Sequence, residues 1–357
     1  MNRELIDLYS DYLITAFGQT TATNLARVLN FKISHDTITR FLSNKELTSR
    51  DFWKIVKPEI RRIQSPDAMI AIDDFIVEKP HSDENGVVAW FFDHVSNEHV
   101  LGMNIVDAVY VIDETRMPLD LEVVKKLEYK IDADTGKPFR DQVRTKHEIY
   151  RSFITNAIQN SVPFKIVLND VWFASTENMI FLKRELGKDF IMPIKTNRQM
   201  KLIGKAKYQA VSELALEAGK AVDARIEGVP FTVRLVKAVF TNEDGSIGVL
   251  FLVSSLYDWT GEALIAAYQK RWRVEEQHKS VKQNASIGRS PAQLVVGRVN
   301  HVFCAFVGVV KLELMRVQTG LNHFGLRNKL YLEALRASRD ELIRIRGGYS
   351  SLVLRSA

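Results

Sequence analysis

Three acidic residues, Asp73, Asp170 and Glu275, sit where separate elements of a fold could bring carboxylates together. Phosphodiester cleavage by a two-metal route needs such carboxylates around a pair of Mg²⁺ ions about 3.5 to 4 Å apart, one activating water and one stabilising the leaving oxygen. Mg²⁺ takes hard oxygen ligands, so Asp and Glu are the right side chains. Asp73 follows the apolar run 69–72, with Asp74 beside it. Asp170 follows the apolar strand Ile166-Val167-Leu168 at its C-terminal edge. An Asp in that place is otherwise an ordinary turn former or helix cap, and both readings of Asp170 stand at this level.

Glu275 is approached through helical phase, since successive residues advance by about 100°. With Tyr268 at zero, Arg271 falls near 300°, Glu275 near 340° and Lys282 near 320°, so all four share roughly 60° of arc. Lys279 extends that face at about 20°, whereas Glu276 points aside at about 80°. A carboxylate framed by Arg, Lys and Tyr is also what simple i,i+4 pairing of Arg271 with Glu275 would produce.

The elements that must position these residues follow from periodicity. Residues 1–65 read as helices. Within them, Leu25, Val28 and Leu29 give one apolar face, Ile38, Phe41 and Leu42 another, and residues 30–33 a short connection. Ser34 is a good N-cap for the second helix. Two short helices so joined fit a helix-turn-helix with His35, Thr37, Thr39, Arg40 and Ser43 on its exposed face, or a helical hairpin that only packs. Strands are expected over 69–77, 87–92 and 100–112, joined by short links as an antiparallel meander, then a helix carrying Ile149, Phe153, Ala157 and Ile158. A strand at 164–168, a helix at 176–186 and a strand at 190–194 follow. That order is the order of a ribonuclease-H-like α/β fold, a mixed sheet flanked by helices whose first and fourth strands are neighbours, which would let Asp73 and Asp170 meet.

Residues 195–258 read as a mostly β insertion, with runs at 231–240 and 249–253 around the turn Asn242-Glu243-Asp244-Gly245. A long helix is expected from about Gly261 to at least Lys282, and a buried helix over 294–317. A basic helical tail follows, in which Arg336, Arg339 and Arg346 could share one face. The expected division is therefore 1–65 helical and DNA-binding, 66–317 catalytic with the insertion at about 195–258, and 318–357 tail.

Tyr268, Arg271, Glu275 and Lys282, separated by two, three and six residues, match the Tyr-Arg-Glu-Lys signature, and the chain here resembles the insertion-sequence transposases of the fourth family. The segments Ile72-Asp73-Asp74-Phe75 and Val167-Leu168-Asn169-Asp170-Val171-Trp172-Phe173 are similar to that family's two Asp blocks, and the resemblance covers roughly residues 68–315. It implies a DDE transposase in which Asp73, Asp170 and Glu275 bind two Mg²⁺ ions, with Mn²⁺ able to substitute. Tyr268, Arg271 and Lys282 would hold phosphates near the cleaved end, and Lys279 extends that face. Arg, Lys and Tyr suit phosphate oxygens and would position DNA without reading its sequence. Many relatives carry Thr where this chain has Phe75, so the register leaves Asp74 open beside the favoured Asp73. Relatives also stack a Trp on a flipped base; Trp259 stands too close to Glu275 for that role.

Composition is consistent with a polyanionic partner: 49 Lys plus Arg against 43 Asp plus Glu, net charge +6 and a pI near 9.2. The hydrophobic share of 46% supports a sizeable core. Cys304 is the single cysteine, which excludes an intrachain disulfide and a thiolate zinc cluster. The histidines show no i,i+4 pair, and no glycine loop cradles phosphates, which argues against zinc and nucleotide hydrolysis. No signal peptide and no apolar stretch of about 20 residues is read, so a cytoplasmic protein without a membrane contact is expected. The expected partners are double-stranded DNA, as transposon-end inverted repeats and target, and a second copy, since two ends must be cut together. The competing readings are a ribonuclease-H-like nuclease or resolvase without strand transfer, and an inactive transposase-derived DNA-binding protein.

Overall fold

Polar side chains set the starts of the first helices. In the computed structural model, which describes residues 1–93, 96–131, 136, 138–242 and 244–347, these are α1 (Arg3–Thr15), α2 (Ala22–Val28), α3 (His35–Asn44) and α4 (Ser49–Ile63). Asn2, Thr21 and Ser34 each accept a backbone N–H of the first turn, and Thr48 closes a capping box with Asp51. Asn30 and Phe31 reverse the chain between α2 and α3 in the left-handed region, at φ 51 and 58. Leu25 and Ile38 are buried, but Val28 is 69% exposed, because the seven-residue α2 ends there and cannot carry its apolar face further. Pro58 inside α4 lacks the N–H that would bond the Lys54 carbonyl, and the Arg3 guanidinium donates to that oxygen instead, at 3.3 Å.

The chain continues as β1 (Met69–Glu78), β2 (Ala89–Asp93), β3 (Glu98–Ile112), β4 (Thr115–Val123), β5 (Glu128–Ile131), β6 (Pro138–Asp141), α5 (Lys146–Gln159) and β7 (Ile166–Asn169). Then come α6 (Thr176–Ile180), running into a π-helical turn Phe181–Glu185, and β8 (Asp189–Ile194). β3 is central: β1 lies antiparallel on one side, β2 and β4 on the other, and β1 pairs in parallel with β7, which pairs in parallel with β8. The order β4-β3-β1-β7-β8 gives a large mixed sheet flanked by helices, compatible with a ribonuclease-H-like fold. The expected three-strand meander needs correction. Its middle strand, β2, pairs with β3 and not with β1, and the strand that completes the set is β4, absent from the sequence reading. Met117, Leu119, Leu121 and Val123 alternate along it, but Pro118 among them argues against a strand. Proline is tolerated there because β4 pairs only with β3, beside a bulge at Ala108/Val109.

Beyond β8, strands β9 (Gln199–Leu202), β10 (Gln209–Ala210), β11 (Ala221–Ile226), β12 (Thr232–Thr241) and β13 (Ile247–Ser254) extend the same sheet in the order β8-β13-β12-β11-β9-β10. Glu243 of the expected turn lies outside the described residues, as do His94 and the tail beyond 347. The expected single helix from 261 divides into α7 (Gly261–Gln269) and α8 (Trp272–Asn284). At the joint the Lys270, Arg271, Arg273 and Val274 N–H groups each reach back three residues, a tightened turn rather than a regular one.

Two helices close the structure, α9 (Val295–Thr319) and α10 (His323–Gly347). The expectation that no apolar stretch reaches a membrane span is corrected by α9: with 25 residues and a mean hydropathy of 1.5 over its most apolar window, it is long and apolar enough to cross a membrane. The scattered polar residues that hid it are used internally, and 83% of its most apolar window is buried in the fold. Asn300 receives the Leu47 N–H at 2.7 Å, and His301 pairs with the Tyr9 hydroxyl at 3.0 Å.

Glu313, also on α9, is fully buried and accepts from the Arg116 N–H, Arg316 and His323. Burial alone would raise its carboxyl, but these donors pull it down to about 2. Burial lowers the pKa of His323, against the pull of Glu313; its Nδ1 faces Ser280 Oγ and its Nε2 faces Glu313. A carboxyl depressed in the folded state stabilises above its unfolded pKa of about 4.3 and loses that contribution as pH falls toward 2. Glu313→Ala is therefore expected to cost about 3–5 kcal/mol in urea unfolding at pH 7, and much less at pH 3.

Candidate active site

Alternation along β1 decides which acidic side chain enters the site. Met69 and Ala71 pack with Leu264, Ala267 and Val274 of α7 and α8, whereas Ile70 and Ile72 join the core on the other face. Asp73 falls on the α7/α8 side and Asp74 on the opposite one. Asp74 is paired there with Lys146 at 2.6 Å and Asn104 at 2.7 Å. Asp73 is only 7% exposed, and its carboxyl is pushed up to about 7, first by burial and further by Asp170, against the pull of His278 and Arg271.

Glu275 comes to the same place from the first turn of α8. The Arg271 guanidinium stands between the two carboxylates, donating to Asp73 Oδ2 at 2.9 Å and to Glu275 Oε1 at 3.3 Å. Arg271 also lies 5.9 Å from the Tyr268 ring, whose hydroxyl donates to the Asn169 carbonyl at 3.3 Å. Tyr268, Arg271 and Glu275 thus converge despite the break between α7 and α8. Glu276 turns away to Arg116 at 2.8 Å and Arg273 at 2.9 Å.

Asp170 stands beside this pair rather than within it. The parallel register matches Ile72 with Asn169, so Asp170 follows at the level of Asp73. Its Oδ1 accepts the Trp172 N–H at 2.9 Å and the Phe173 N–H at 3.4 Å, the turn-forming role open to such an Asp. Burial and Asp74 raise its carboxyl, while those amides and Arg271 lower it.

Two residues of the site went unread in the sequence. His278 offers a ring nitrogen within 4.8 Å of carboxylate oxygens of Asp73 and Glu275. Its Nε2 lies 2.6 Å from Asp107, which also accepts from Gln277 at 2.5 Å. Burial opposes protonation of His278, but the Asp107 carboxylate overrides it and raises the pKa. Asp107 is register-paired with Asp73 and fully buried. The signals existed: His278 lies one turn beyond Glu275 on the same stripe, and Asp107 is a lone charge in an apolar run. Phe75, the departure from the family pattern, stacks 4.2 Å from the His278 ring and lies under the Lys282 ammonium at 5.2 Å.

Lys279 and Lys282 are exposed on α8. Lys279 lines a cleft of about 580 Å³ with Trp272, Glu275 and Phe324, and Trp272 is 63% exposed. His35, Thr37 and Arg40 stand apart on α3, which packs on α9 and α2; His35 and Arg40 are exposed, and Thr37 is half-buried beside the Ser34 cap. Trp259 packs against the core under α7, with the Lys165 ammonium 5.3 Å from its ring.

Asp73 on β1 and Glu275 on α8 thus meet at one arginine, with Asp170 following the end of β7 beside them. The family described as "DDE superfamily endonuclease" matches residues 1–210, and the chain belongs to it. It is thus a DDE-type nuclease or transposase, an enzyme acting on DNA; the matched stretch includes Asp73 and Asp170 and ends before Glu275. No curated protein matches. Among solved structures, it is similar to endonuclease V from Bacillus subtilis at 13% identity, over 66% of this chain and 92% of that one, with a TM-score of 0.29, too loose a likeness to carry an argument.

Proposed function

We propose that this protein is a transposase of the Tyr-Arg-Glu-Lys type that cuts transposon ends and joins them to target DNA. The observation that carries the reading is the meeting of Asp73 and Glu275, some two hundred positions apart, around Arg271 of the same signature.

The donor set fits divalent metal. Hard oxygens converge, and the raised carboxyls of Asp73 and Asp170 mark negative charge held together at a cost that a cation relieves. Asp73 and Glu275 would hold the ions, with Asp170 as third ligand, while His278 stays committed to Asp107. Bound there, Mg²⁺, or Mn²⁺ in its place, supplies the Lewis acidity for attack by water or a 3′-hydroxyl and for departure of the leaving oxygen. The chain's own residues do the rest. Arg271 keeps the two carboxylates apart yet within reach. Asp107 fixes the His278 ring behind Asp73. Tyr268, Arg271, Lys279 and Lys282 offer phosphate donors along one stripe. We further assign residues 1–65 to DNA binding through His35, Thr37 and Arg40, residues 66–317 to catalysis with 195–258 as an insertion, and 318–357 to a basic tail. The active form would be a homodimer on paired DNA ends.

Incubation with the DNA flanking the coding region and Mg²⁺ separates the readings. Cleaved ends covalently joined to target DNA are expected. Cleavage without joined products would make the protein a nuclease or resolvase instead.

A further inference from the structure

A cavity of about 530 Å³ opens between α4, β4 and α5. Asp120 lies in its lining and is register-paired with Ala108, so it is on the face of the sheet opposite Asp73 and Asp107. It is only 5% exposed, and its carboxylate accepts from Ser49 Oγ at 2.8 Å, Asn156 Nδ2 at 3.1 Å and the Leu121 N–H at 2.9 Å. A carboxylate offers about four acceptor positions, so about one remains for a further donor.

The rest of the lining is of two kinds. Leu119, Phe153 and Ala157 are apolar, and the half-buried Trp53 indole adds an aromatic surface, with the Arg61 guanidinium 5.9 Å from its ring. Arg61 is itself anchored to the carbonyls of Asn160 and Ser161. Arg50 and Lys57 share a stripe of α4 with Trp53, at i, i+7 and i+3. Both are exposed and have no ion-pair partner among the described residues, whereas Lys54 between them is bound to Asp51 at 3.0 Å. A buried acceptor would repel a simple anion, and a polar floor does not suit a purely apolar guest. An aromatic wall, one free acceptor and two unpaired cations fit a heterocycle that carries an amino group and a phosphate.

We propose that this cavity binds one nucleotide whose base bears an exocyclic amino group, with the base against Trp53, the amino group donating to Asp120, and the phosphate on Arg50 and Lys57. The same chemistry is offered by a free nucleotide and by an unpaired position in a DNA strand. The site is separate from the acidic cluster and stands whether or not the transposase reading does.

Calorimetric titration of the full chain in EDTA with dCMP, dTMP, inorganic phosphate and an eight-residue deoxycytidine oligomer tests it. One dCMP per chain is expected, with dTMP at least about fivefold weaker and inorganic phosphate not saturating. The double variant Arg50→Glu/Lys57→Glu, which touches only exposed unpaired side chains, should weaken dCMP at least about tenfold with an unchanged melting temperature, and Trp53→Ala should weaken dCMP to a similar extent. An oligomer that binds tighter than dCMP, and loses that in the double variant, places the nucleotide in a strand; equal affinities indicate a free nucleotide. Absence of dCMP binding at millimolar concentration, or binding unaffected by the double variant, or matched by inorganic phosphate, overturns the proposal.

Discussion

Asp73→Asn is expected to lower DNA cleavage at least about 10³-fold while leaving DNA binding nearly unchanged. The amide keeps the shape but removes an anionic ligand from the centre. It also removes a carboxylate that burial and Asp170 oppose, so the melting temperature should not fall, and the loss cannot be ascribed to unfolding. Asp74→Asn is the matched control. Asp74 serves Lys146 and Asn104 on the other face, so its loss should cost stability more than cleavage. Cleavage and melting of the two variants, measured side by side, decide between the adjacent residues; a severe cleavage defect confined to Asp74→Asn would reverse the assignment.

Glu275→Gln should produce a loss of the same order, again with DNA bound. Its side chain is partly exposed and, among the described residues, pairs with Arg271, which keeps its bond to Asp73 in the variant. Glu276→Gln should behave differently. Glu276 joins Arg116 to Arg273, so the expected defect is a lower unfolding midpoint with cleavage retained. Single-turnover cleavage alongside urea unfolding distinguishes these outcomes, and equal cleavage by wild type and Glu275→Gln would remove Glu275 from the centre.

The parts of this site that were legible in the sequence are those governed by local periodicity. The stripe of Tyr268, Arg271 and Glu275 survives the division of the helix because a tightened turn advances about 120° per residue instead of about 100°, and only a few residues are affected. The strand-end position of Asp170 was legible for the same reason, and so was the turn-forming role that its bonds to the Trp172 and Phe173 amides fulfil. The choice between Asp73 and Asp74 depends on which face of β1 the helices α7 and α8 cover, a tertiary fact. His278 and Asp107 escaped because each looks ordinary alone, and their chemistry arises only when β3 and α8 pack. β4 was lost although Met117, Leu119, Leu121 and Val123 alternate, because Pro118 reads against a strand and the partners that justify burying Arg116 and Asp120, Glu276 and Ser49, are far away in the chain.

The central claim is that Asp73 and Glu275 hold the ions that cleave DNA. Crystals of the protein with a DNA end and Mn²⁺, recorded at the manganese absorption edge, test it most directly. Anomalous peaks are predicted within about 2.2 Å of carboxylate oxygens of both Asp73 and Glu275, with Arg271 displaced from between them. Manganese bound elsewhere, with Asp73 and Glu275 still bridged by Arg271 and the DNA nonetheless cut, would contradict it.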